Sequence, residues 1–350
     1  MKKYIEAQKY YNNALSRVRK EAKIKDCFHY DKNKCKLPFK NAHSLQRQGA
    51  LKILEQEKNG NRYLYAHTER YVNPEHSFLD LKPVGRKSAS TFFGFCDYHD
   101  TTLFSSIENE PECTDIESDE HCFLHSYRSF AHSYHRKHED WKLHNTTDPI
   151  TKKMLIKGYG NYGERGFENG KLGIKTALND FNISKIKLDK MIEEKRYDRL
   201  DYYTLELDYT APIACAAATT PEYTFSKKPI NFSTDPNYEY SPVITTVLPF
   251  SNRTIIILAV FPDQPNGVMF LDEIDNIKYE LILQKYLSFH LINHAENCYL
   301  SPHFYEKKSL KWKIKYCSSL DHMLSSTTPV FTFSKKFPIN YFSRSEAINE

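Results

Sequence analysis

Long apolar stretches are missing from this sequence. The longest, Thr254 to Phe261, has eight residues, and a membrane-spanning helix needs roughly 20. The first residues, Met-Lys-Lys-Tyr-Ile-Glu-Ala-Gln-Lys, lack the apolar core of a secretory signal. A soluble cytoplasmic protein with no membrane partner is therefore expected. No nucleophile-elbow serine, phosphate-binding P-loop or EF-hand pattern occurs. Nor do the eight cysteines, scattered at 27, 35, 96, 113, 122, 215, 298 and 317, form the dense framework of a small disulfide-bonded domain. In a reducing compartment they are core residues, metal ligands or nucleophiles. The chain also lacks a strong overall charge, at +5 over 350 residues. With 40% apolar and 27% charged residues it has a globular balance, and it is long enough for two domains.

Charge is distributed more tellingly than its total suggests. Residues 1–60 hold 15 Lys and Arg against six Asp and Glu, whereas residues 101–120 hold seven acids and no Lys or Arg. A basic block of that size suits phosphate contacts, and Arg17, Arg19 and Lys20 are its candidate nucleic-acid contacts. A solvated helix face is the plainer alternative.

Glycine is scarce, and six of the 11 glycines lie between Gly158 and Gly173. Together with the turn-like His144-Asn-Thr-Thr-Asp-Pro149 they suggest a junction over 146–173. The expected organisation is a basic, zinc-binding region at 1–145, the junction, and a C-terminal domain at 174–350. In the first region, short strands are expected at 62–66 and 90–95, and a long histidine-bearing helix at 120–141. After the junction, a helix is expected at 173–196. Strands are expected at 202–209, 213–218, 244–248, 254–260, 268–271, 311–316 and 329–333, with a helix over 275–294. The class is α+β, mostly β in its C-terminal half. Thr224-Phe-Ser-Lys-Lys-Pro-Ile-Asn-Phe-Ser233 returns as Thr332-Phe-Ser-Lys-Lys-Phe-Pro-Ile-Asn-Tyr-Phe-Ser343. Two copies do not make a solenoid; they are equivalent edge strands or a coincidence of composition.

The strongest chemical signal is a set of soft ligands. Cys27 and Cys35 flank a polar, Lys-rich segment, and Phe95-Cys96-Asp-Tyr-His99-Asp100 supplies a Cys-x-x-His pair. Zinc prefers four such donors in a tetrahedron. Two ligand pairs meeting at one metal is a common way to hold a region with little core. The alternative is that Cys96 is a core cysteine beside the aromatic run 92–95.

The order of these residues, with His43 leading into a helix after the second cysteine, resembles the treble-clef zinc domain of HNH (ββα-metal) endonucleases over about residues 25–105. The resemblance implies a treble-clef-like N-terminal domain with a helical extension. It implies structural zinc at the cysteine and His99 positions, His43 as general base, Asp100 as a metal-binding or orienting carboxylate, and Mg²⁺ or Mn²⁺ at the scissile phosphate. Ser88, Ser90 and Thr91 stand where that family carries its Asn. A metal-dependent nuclease is the implied activity, with bacterial antiviral defence as a setting and the C-terminal domain as a sensing or protein-binding part. The layout is also similar to that of bacterial proteins sharing Cys…Cys…His-Ser…Phe-Cys-x-x-His-Asp. A non-catalytic, zinc-stabilised protein binding nucleic acid or another protein is the alternative. Arg128-Ser-Phe-Ala-His-Ser-Tyr-His135 also resembles the Arg-x6-His motif of HEPN ribonucleases; the plainer alternative is an amphipathic helix whose histidines are exposed or stacked on aromatic neighbours. Gly158-Tyr-Gly160-Asn-Tyr-Gly163 matches G-x-G-x-x-G but lacks the strand and helix context that gives the pattern meaning. His294 and Cys298 read as core or surface.

Overall fold

The computed structural model describes residues 22–73, 75–76, 78–231, 238–324 and 332–348. The candidate contacts Arg17, Arg19 and Lys20 lie outside the described residues. In chain order the elements are β1 (Phe39–His43), α1 (Ala50–Leu54), β2 (Gln56–Lys58), β3 (Asn61–Val72), β4 (Leu79–Gly85), β5 (Thr91–Cys96), α2 (Asp97–Leu103), α3 (Ser105–Glu108) and α4 (Asp119–His144). Then follow α5 (Pro149–Gly158), α6 (Gly163–Glu194), β6 (Asp201–Leu207), β7 (Ile213–Thr219), β8 (Val243–Pro249), β9 (Thr254–Val260), α7 (Pro265–Asp275), α8 (Glu280–His294), β10 (Cys298–Leu300), α9 (Pro302–Glu306) and α10 (Leu310–Leu324).

The architecture is α+β around one large antiparallel sheet of order β2-β3-β10-β7-β8-β9-β6, with β4 also on β3. Strands from both sides of the expected division, β2 to β4 and β6 to β10, share this sheet. A separate two-stranded ribbon joins β1 to β5, with Phe39 opposite Cys96 and His43 opposite Thr91.

The unbroken apolar run of β9 follows from burial on both faces, where alternation has no purpose. Ile255 and Ile257 face the layer of α1, and Ala259 faces α4 and α6. Ile256, Leu258 and Val260 face α7 and α8. The sheet is thus the middle of three layers.

Helix α4 is the unusual piece. It starts with Ser118, whose side chain accepts the His121 N–H, a normal N-cap. Fifteen of its residues are buried, among them His125, Ser126, Arg128, Ser129, His132, His135 and Glu139. Its polar groups bond the sheet beneath: Ser129 Oγ lies 2.7 Å from Thr246 Oγ1, and Ser133 Oγ accepts the Ala218 N–H at 2.8 Å. Of the two plainer readings of its histidines, aromatic packing holds rather than exposure: His132 and His135 lie edge-on to Phe92, and His138 stacks on Phe28.

Several local expectations change. The glycine-rich segment is mostly helical, and α6 begins at Gly163. Gly170 lacks a Cβ where Tyr159 crosses the helix. Residues 268–271 and 311–316, expected as strands, lie in α7 and α10, because their apolar residues serve one face of helices that cover the sheet. The helix expected over 275–294 is broken at Asn276, and α8 starts only at Glu280. Residues 329–331 lie outside the described residues, and Thr332 and Phe333 are irregular. The two copies of the repeated segment are turns rather than edge strands, and they meet. Phe225 and Phe333 lie 5.6 Å apart, each packed on Tyr286 at 5.3 and 5.2 Å.

Burying so many imidazoles has a consequence for pH. Burial pushes His67 and His125 down to about 3, and His135 and His294 to about 4. In the unfolded chain each titrates near 6.5, so below that pH the unfolded state takes up protons that the fold refuses. Stability should be flat in these groups above pH 6.5. It should fall by about 1.4 kcal/mol per group per pH unit as pH drops from there toward 4. Urea midpoints measured from pH 7 to 5 check this, and His125→Gln should flatten the slope by about one proton.

Candidate metal centre

Four donors from three elements converge at one end of the ribbon. The chain around Cys27 is extended and runs along β5, with Asp26 N–H donating to Phe93 O at 3.1 Å and Phe28 N–H to Gly94 O at 2.7 Å. It then turns through a short 3₁₀ helix, Lys32–Lys34, capped by the Asp31 carboxylate. That turn delivers Cys35 just before β1. Cys96 ends β5 and is the N-cap of α2. His99 stands in the first turn of α2, on the same side of the helix as its cap.

All four ligand atoms lie within 4.8 Å of one another. His99 Nδ1 is 3.3 Å from Cys27 Sγ, 3.6 Å from Cys35 Sγ and 3.3 Å from Cys96 Sγ. A tetrahedral ion with metal–sulfur bonds of about 2.3 Å and a metal–nitrogen bond of about 2.0 Å has nitrogen–sulfur edges of about 3.5 Å. The spacing matches that geometry. Cys27, Cys96 and His99 are each no more than 1% exposed, and Cys35 is half-buried.

The electrostatics of the cluster also favour a cation. Burial, and then the neighbouring Cys27, push the Cys35 thiol up to about 12. Burial likewise raises Cys27, against backbone N–H groups that lower it. At Cys96 burial is outweighed by backbone N–H groups, first among them that of His99, and the thiol is lowered. A positive ion between the three sulfurs would favour their thiolate forms and take the place of the thiol–imidazole hydrogen bonds. The His99 ring is stacked on His29 at 3.9 Å and 6°, which fixes its orientation. The sequence offered no signal for that support.

The other candidate residues sit elsewhere. His43 ends β1, four residues along the ribbon from Phe39 and so remote from the cluster. Its Nε2 is buried without a partner. Burial, then Arg47 and Arg128, push it down to about 4. Asp100 is buried and accepts from Arg128 Nη2 at 3.3 Å, while Nη1 of the same guanidinium donates to Glu108. The plane of Arg128 lies over Phe104, 4.4 Å from its centroid. This pairing ties α2 and α3 to α4. His135, the partner of Arg128 in the Arg-x6-His pattern, is buried against Phe28 and Phe92, with Nε2 3.3 Å from Ile24 O. A nucleotide cannot reach either residue without opening the core.

No family model, curated protein or solved structure matches this chain.

Removing one partner of the buried Arg128 pair should be costly. Arg128→Met removes the guanidinium that the buried Asp100 shares with Glu108 and should cost about 3–5 kcal/mol. Arg128→Met combined with Asp100→Asn should recover part of that loss, which a double-mutant cycle on chemical unfolding measures.

Proposed function

We propose that the protein is a zinc-stabilised nucleic-acid-binding protein in which the metal is structural. The carrying observation is the donor set itself: three cysteines and one histidine occupy all four tetrahedral positions in a buried place. Catalytic zinc keeps a position open for water, whereas structural zinc is closed by protein ligands. The arrangement of a cysteine-bearing turn, a β-ribbon and the first turn of a helix is treble-clef-like.

Three thiolates and Zn²⁺ leave one negative charge. Exposed Lys23, Lys25, Lys32, Lys34 and Lys36 lie on the segment that carries Cys27 and Cys35, with Asp26 and Asp31 as its acids. The cations exceed what the centre needs, and the surplus supplies phosphate contacts.

A nuclease centred on His43 is less well supported. An imidazole held near 4 is a poor proton acceptor at neutral pH. Asp100 and Glu108, the carboxylates available to Mg²⁺ or Mn²⁺, are both engaged by Arg128. The unpartnered Nε2 of His43 is the feature that keeps this second reading open, and the same experiments address it.

Purified protein should carry about one zinc per chain, and Cys96→Ser should lose it together with thermal stability. Binding to nucleic acid should weaken linearly on a log–log plot against salt. The triple change Lys25→Glu, Lys34→Glu, Lys36→Glu should reduce the slope by roughly 2–3 through lost phosphate contacts. No cleavage of DNA or RNA with Mg²⁺ or Mn²⁺ is expected. Cleavage that His43→Ala abolishes in a folded, zinc-loaded protein would establish the nuclease instead.

A further inference from the structure

A large cleft is separate from the metal centre and holds none of its candidate ligands. It has a volume of about 790 Å³ and lies between α4 and α6, over the end of β7 and the start of β10. That volume falls within the range of small-molecule sites. The chemistry of its wall is specific. Four carboxylates reach it, Glu69, Asp140, Asp180 and Glu296, against two cations, Arg136 and Lys137. One of those cations is shared, since Arg136 Nη1 donates to Glu139 Oε2 at 2.7 Å and Asp140 and Glu296 also act on its charge. The wall is therefore net negative in a protein whose total charge is positive. Side-chain hydroxyls and amides, including Thr176, Asn293 and Asn297, fill much of the remainder.

A second observation is independent of the acids. His132 lies on the cleft wall, is 8% exposed, and touches Phe92 edge-on. Among the described residues it has no hydrogen-bond partner for either ring nitrogen. Burial, then Arg136, keep it neutral, so one nitrogen retains a lone pair directed at whatever enters. Such an acceptor suits an N–H donor. Asp180, on the opposite wall, is pushed up to about 6 by burial and then by Glu239, so a carboxylate there gains from a cation. The carboxylates do not make a metal site: the only group of His, Cys, Asp or Glu ligand atoms close enough for one ion, among the described residues, is the Cys27 cluster. Spread along the cleft, they suit a longer molecule with separated charges.

We propose that this cleft binds a small organic cation, one or more ammonium groups on a hydrogen-bonding skeleton. Ammonium groups pair with Asp140 and Asp180, one N–H donates to His132, and hydroxyls or further amines meet the Thr and Asn side chains. The same excess of carboxylates repels phosphate, so the cleft is not the nucleic-acid groove.

The test is calorimetric titration of the full, metal-loaded chain with spermidine, an amino sugar, acetylated spermidine, sucrose and AMP. Binding of spermidine or the amino sugar is expected, and which of the two binds more tightly distinguishes a linear polyamine from a carbohydrate amine. Acetylated spermidine should bind at least tenfold more weakly, and sucrose and AMP should not bind. The double change Asp140→Asn, Asp180→Asn should weaken the cation at least tenfold with the zinc content unchanged. His132→Leu should weaken it several-fold. Failure of both amines to bind at millimolar concentration overturns the proposal, as does preference for AMP. So does amine binding that is indifferent to acetylation in the unaltered protein, a comparison that needs no variant to fold.

Discussion

Between Cys27 and His99 the chain makes a promise that only a cation keeps. Three sulfurs lie close to one imidazole nitrogen, in a place where burial holds back ionisation of Cys27 and Cys35 while backbone N–H groups lower the Cys96 thiol. A metal bound there would fasten the extended segment 26–28 and the Lys32–Lys34 turn to the ribbon and to α2. The apolar contacts of this corner are largely aromatic, with Phe28, Phe92 and Phe95 in one buried cluster with Phe104, Tyr127 and Tyr134. The ribbon so fastened forms one wall around α4, which lies between it and the sheet. The packing of the central helix therefore depends on the ribbon keeping its place beside it.

That dependence explains how a helix as polar as α4 can be buried at all. Its serines bond Thr246 and the backbone of β7, and Arg128 collects Asp100 and Glu108. Burial keeps His125, His132, His135 and His138 neutral, the last three against aromatic rings. A polar interior of this kind is tolerated when its groups are satisfied, and it carries an acid sensitivity that an apolar helix would not have. Satisfaction is incomplete, since Ser126 Oγ, Arg128 Nε, His135 Nδ1 and His138 Nε2 are buried without a hydrogen-bond partner, and at His132 the helix borders the cleft.

The four ligands were readable as residue types because soft donors in a polar, core-poor segment have few other uses. Their convergence followed from the ribbon register, Phe39 opposite Cys96, which places Cys35 beside the Cys-x-x-His turn. The strands 202–209, 213–218, 244–248 and 254–260 were legible from apolar runs of the right length. Helices α7 and α10 were not, since short apolar runs do not distinguish a strand from a covering helix. The role of Asp100 was hidden because its partner Arg128 is 28 residues away and on another helix. His43 looked like a base from its position in the order of residues. Only its surroundings, Arg47 and Arg128, set its low proton affinity.

By itself the sequence determined the local periodicities, the caps and the inventory of donors, because these depend on neighbours within a few residues. It determined as well that acids and bases would be close in number and that, among the described residues, no helix is long and apolar enough to cross a membrane. Tertiary structure decided which residues meet. It merged strands from 61–85 and 201–300 into one sheet, buried the histidine helix, committed Asp100 to Arg128 and opened an acid-lined cleft between α4 and α6. These are long-range outcomes of covering both faces of a single sheet, and each depends on contacts between residues far apart in the chain.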